Sequence, residues 1–139
     1  MNTFHSAIVP GLIAGLISIF TSWLWMGAIF HRFQKETPGT WRPEGARSYI
    51  FSSVLQFVAA IGVACLFTLV VRFNVGMFAI GFQGALLFAV AIWLALALPI
   101  LLESAIYINL HPLVVVGQLV NWLTTSVLSC LITAWWLRR

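Results

Sequence analysis

An all-α integral membrane protein, a bundle of four transmembrane helices, is the fold class this sequence predicts, on three observations. Hydrophobic residues fill 62% of the 139 positions and charged residues only 7%, against about 25% charged in soluble domains, so most of the surface must meet lipid rather than water. Residues 7–30, 49–71, 77–102 and 113–137 carry no charge, and each run can cross a hydrocarbon core at about 1.5 Å of rise per residue. None of the runs alternates as a barrel strand does. Backbone polar groups in lipid must be satisfied within their own segment, which makes each run a helix. The whole chain, residues 1–139, reads as one four-helix membrane domain.

The first run lacks a basic flank before it and exceeds a signal-peptide core in length, which predicts a retained helix rather than a cleaved leader. Pro10 falls in its first turn, where a missing N–H matters little. Gly11, Gly15, Ser18 and Ser22 recur at steps of three and four residues. They form one stripe of small side chains, which lets another helix approach closely, either within the protomer or across a dimer seam.

Residues 31–48 form a polar loop that holds Arg32, Lys35, Glu36, Arg42, Glu44 and Arg47, broken by Pro38, Gly39, Pro43 and Gly45. The second run offers Ser53, Gln56, Ala60, Ala64 and Thr68 along one face. A tight turn at 72–76 contains Asn74 and Gly76, and the third run follows. Pro99 lies near the end of that run and frees a carbonyl near Ala95, predicting a termination, a kink or a hinge. The link 103–112 extends the helix by about a turn through Tyr107, and Pro112 opens the fourth run.

The fourth run is the most polar, with Gln118, Asn121, Thr125 and Ser129 on one face and Thr124 and Thr133 beside them. Amides facing lipid would cost several kcal/mol each, so this face points at another helix or at water. Set against the second helix, the two stripes make either interhelical hydrogen bonds or a narrow polar path, with Gln56, Gln118, Asn121 and Thr125 as its residues. Trp41, Tyr49, Tyr107 and the Trp135–Trp136 pair beside Arg138 and Arg139 fall where membrane interfaces should lie.

An even number of helices puts both termini on one side. Arg32, Lys35, Arg42 and Arg47 then oppose Arg72, Arg138 and Arg139. That bias favours the first loop in the cytoplasm with both termini outside, and its near balance also allows insertion in both orientations.

The chemistry available is sparse. There are three His, no Asp and two Cys, with no phosphate loop, nucleophile elbow or paired-histidine zinc motif. The reading is therefore of a non-enzymatic protein with no cofactor and no metal. Cys65 and Cys130, inside helices, read as small hydrophobes. His5, His31 and His111 flank helices, and His31 with His111 is the one histidine couple on a shared face. Glu103 and His111 are candidates for a proton or cation site if Glu103 lies within the hydrocarbon, with Arg32 or Arg47 as its partners if it reaches the interface. The bases sit at the edges of apolar runs and form no continuous groove, which argues against nucleic acid as a partner.

The segment SWLWMGAIFHRFQKETPGTW, residues 22–41, resembles a family of small bacterial four-span membrane proteins known as a domain of unknown function. Gly27, Arg32 and Trp41 fit its pattern, and Met26 after Trp25 departs from it. The segment IWLALALP, with Trp93 and Pro99, and a polar last helix ending in Trp are similar too. The resemblance implies a four-helix fold in a bacterial inner membrane and carries no activity or site residue with it. Three functions are compatible: a homo-oligomer, as a dimer, that passes a small solute or ion; an accessory subunit of a larger membrane complex; and a small membrane enzyme or cofactor binder built on His31, His111 and Glu103.

Overall fold

The computed structural model describes residues 3–42 and 45–138. Pro43, Glu44 and Arg139, named above, lie outside the described residues. Within them four helices are long and apolar enough to span a membrane: His5–Gln34, Ala46–Arg72, Gly81–Tyr107 and Pro112–Leu137. They pack as a bundle, and the protein is a four-span integral membrane protein.

The first span comprises α1 (Thr3–Ser22), a π-helical segment (Trp23–Phe30) and a last turn, α2 (His31–Gln34). The helix thus runs a turn into the polar loop before a 3-10 turn, Pro38–Thr40, redirects the chain. The second span is α3 (Ala46–Arg72). Asn74 ends it at φ 50, a left-handed conformation that Asn tolerates better than most residues. The Val75 N–H reaches back to the Val70 carbonyl at 3.0 Å.

The third span begins as α4 (Gly81–Ile92), widens into a second π-helical segment (Trp93–Ala97) and continues as α5 (Leu98–Tyr107). The helix does not stop at Pro99. Instead the N–H of Leu98, immediately before it, is drawn to the Trp93 carbonyl, one residue farther back than in an α-helix. The fourth span, α6 (Pro112–Leu137), has Pro112 in its first turn and His111 as its cap, with Nδ1 accepting from the Leu113 N–H at 3.3 Å.

The fourth span is the hub. It packs against α1, α3 and α4, and α1 packs along α3. Small residues allow this closeness. A Cβ at Gly11 would stand 2.8 Å from the Ile61 Cα, and one at Gly15 would stand 2.5 Å from Cδ1 of Phe57. The glycines of the small-residue stripe are therefore occupied by α3 of the same protomer. Gly117 takes the ring of Phe30 in the same way, so the first π-helical segment is moored to α6. On the terminal half of the bundle Phe67, Ala85, Ala89, Cys130 and Ala134 close the core. The third span is the least buried of the four.

Candidate functional site

A polar seam joins the second and fourth spans at mid-bundle. Gln56 faces inward from α3 because it shares a helical face with Ala60, Ala64 and Thr68, all buried. Its Nε2 donates to Thr125 Oγ1 at 2.6 Å. The Thr125 hydroxyl in turn donates to the Asn121 carbonyl at 3.0 Å, so that one hydroxyl links the helices while remaining satisfied within its own. Asn121 is 6% exposed, and its side-chain Oδ1 is buried with no hydrogen-bond partner. Gln118 lies one turn nearer the loop side on α6 and is half-buried. Ser129, a turn beyond Thr125, is fully buried and also leaves its hydroxyl without a partner.

Gln56 also forms the inner end of a groove between the first and second spans. This groove holds about 300 Å³. Its walls carry Ser22, Trp23 and Met26 from the first span and Tyr49, Ser52 and Ser53 from α3. It exists because the first turns of α3 stand clear of the bundle, leaving residues 46–52 exposed, while the π-helical segment turns toward α6. None of its lining residues is charged.

Serines and threonines elsewhere in the spans bond back to their own helices: Thr68 to the Ala64 carbonyl, Thr124 to that of Val120, Ser126 to that of Trp122. Among the described residues, Ser22, Ser52 and Ser53 have no such bond. Their hydroxyls are available to whatever occupies the groove.

On the loop side, the first loop docks onto the start of α6. His111 Nε2 meets Glu36 Oε2 at 3.0 Å, the imidazole stacks on Phe33 at 5.2 Å and 8°, and the Arg32 guanidinium lies 4.7 Å from the same ring. The Thr40 hydroxyl donates to the Asn109 carbonyl at 2.8 Å. The acid beside His111 is Glu36 from the loop, and the structure does not bring Glu103 to it: Glu103 is exposed on α5. No group of three or more potential metal ligands is gathered among the described residues.

The pattern of polar residues thus points to Gln56, Gln118, Asn121 and Thr125, and Gln56 and Thr125 meet in the seam beside Asn121. It does not point to Trp23, Tyr49, Ser52 or Met26, which line the groove, nor to Glu36. The signal available for Glu36 is its position in a loop that must share a membrane side with His111. For the groove no sequence signal exists, since the π-helical segment that lines it carries no distinct residue code. No family model matches the chain, and no curated protein or solved structure matches it either. The resemblance noted in the sequence therefore extends to the four-span architecture and assigns no family.

Proposed function

We propose that this is a non-enzymatic transport protein of a bacterial inner membrane, passing a small neutral polar solute between the first, second and fourth spans. The observation that carries the reading is the Gln56–Thr125 hydrogen bond, one turn along α6 from the buried, unpartnered Oδ1 of Asn121, with Gln56 reaching an uncharged groove where the hydroxyls of Ser22, Ser52 and Ser53 are free. A buried amide oxygen without a partner costs about 1–3 kcal/mol, which a hydrogen-bonding solute would recover. In this reading the Gln56–Thr125 bond is the closed gate. A solute that replaces it by accepting from Gln56 and donating to Asn121 passes without leaving either amide bare. The lack of charge in the lining favours neutral solutes over ions.

The test is flux of glycerol and of urea into vesicles carrying the purified protein. Asn121→Leu and Gln118→Leu should abolish flux while the thermal unfolding of the purified variants stays near that of the wild type. Unchanged flux in both variants would overturn the reading.

A second reading is favoured by the third span, the least buried of the four, whose apolar side chains are left uncovered by the fold. With the glycines of α1 occupied within the protomer, this face is where a homodimer or a larger membrane complex would form. The mass of the detergent-solubilised particle separates the two: twice the 15.4 kDa chain means a dimer, and a stable monomer removes the dimer.

A further inference from the structure

We infer that the terminal face of the bundle binds the phosphate of an anionic phospholipid through Arg138, with the start of an acyl chain in the cavity beneath it. A second cavity of about 230 Å³ lies on this face, formed by the end of α3, the turn before α4 and the end of α6. Its walls are Phe67, Val71, Ala79, Ala134 and Leu137, all apolar, and its charged member is Arg138.

The Arg138 guanidinium is exposed at the mouth of this cavity. It lies 4.2 Å from the centre of the Phe82 ring. On another side it rests against Gly81, where a Cβ would collide with Nη2 and where φ is +55°. Glycine adopts this positive φ without strain, and its missing Cβ leaves room for the guanidinium where it lies. In this position the side-chain N–H groups of Arg138 have no carboxylate or carbonyl acceptor among the described residues. An arginine stacked on a ring with its donors unused is open to an oxyanion, and its planar fork suits phosphate.

The surroundings select for an anion. Among the described residues the glutamates, Glu36 and Glu103, belong to the loop side, whereas Arg72 ends α3 on the same side as Arg138. The third span also starts here, at Gly81, with no side-chain cap and no acid in its first turn. A guanidinium beside the positive end of a helix is repelled unless an anion lies near both. A lipid phosphate meets that requirement at the depth where headgroups lie, and basic pockets between spans are a recognised form of such sites. The apolar cavity continuing below Arg138 favours a phosphate that carries a chain over a free one.

The experiment counts lipids retained by the purified full chain in native mass spectrometry, after exchange into detergent with equal phosphatidylglycerol and phosphatidylcholine. The wild type should retain phosphatidylglycerol in about fivefold preference, because the choline ammonium offsets the phosphate of phosphatidylcholine whereas phosphatidylglycerol keeps a net negative charge. Arg138→Gln should remove the preference. Ala134→Leu, which fills the cavity and keeps the charge, should remove it as well, and Ala79→Leu serves the same purpose should Ala134→Leu fail to fold. Arg42→Gln, on the loop side, should leave it intact. No preference in the wild type, or equal loss in Arg42→Gln, overturns the site. Retention in both cavity-filling variants together with displacement by inorganic phosphate overturns the lipid as its source, leaving a free-phosphate site.

Discussion

At the scale of single residues, absence of side chain does as much as presence. Gly15 lets α1 lie against Phe57 with no room to spare, so Gly15→Leu should destabilise the protein by about 1–3 kcal/mol through overpacking. Gly62 has nothing within 4 Å of its Cβ position, and Gly62→Ala should stay within about 0.5 kcal/mol of the wild type. Thermal unfolding of the two purified variants in one detergent checks both, and equal midpoints would mean that α1 and α3 are not in the contact described. A close approach is legible in the small-residue spacing alone. Which helix approaches is not, because a stripe of glycine and serine records the distance to a neighbour and not its identity.

At the scale of elements, the two π-helical segments shape the loop-side half of the bundle. Each begins at a tryptophan, Trp23 and Trp93. Trp93 is held by its indole N–H, which donates to the Leu119 carbonyl of α6 at 2.9 Å, so the widened turn is tied to the hub helix at its first residue. Trp93→Phe keeps most of the ring and removes that bond. It should cost about 1 kcal/mol, measured as a lowered unfolding midpoint. An unchanged midpoint would show that the third span is positioned by apolar packing alone. Pro99 is visible in the sequence as an interruption. Its consequence, a π-helical turn ending just before it rather than a helix end, depends on neighbours that keep the helix going to Tyr107.

At the scale of the whole molecule, the contacts of Glu36 with His111 and of Thr40 with Asn109 put the first loop and the 103–112 link on one side of the membrane. The turn around Asn74 then lies on the other. Cysteine placed at Gly39 or at Asn109 should react with a membrane-impermeant maleimide from the same side of intact vesicles, and cysteine at Asn74 from the opposite side. Cys65 and Cys130 lie within the spans and should stay unlabelled. Labelling of Gly39→Cys and Asn109→Cys from opposite sides would contradict the fold, whereas half-labelling of every position from each side would show insertion in both orientations, as the near balance of basic residues allows.

By itself the sequence determined that the chain enters lipid, how many times it crosses, and which faces of the second and fourth spans are polar. These follow from transfer free energy and helical period, which act residue by residue along the chain. Tertiary structure alone decided that α6 is the hub, that Gln56 meets Thr125 while Asn121 keeps an unpartnered oxygen, that α3 stands off to open a groove, and that Arg138 lies over Phe82 at the mouth of a cavity. Such facts depend on the rotation and offset of one helix against another. In lipid those are set by the summed packing of small side chains rather than by any one residue.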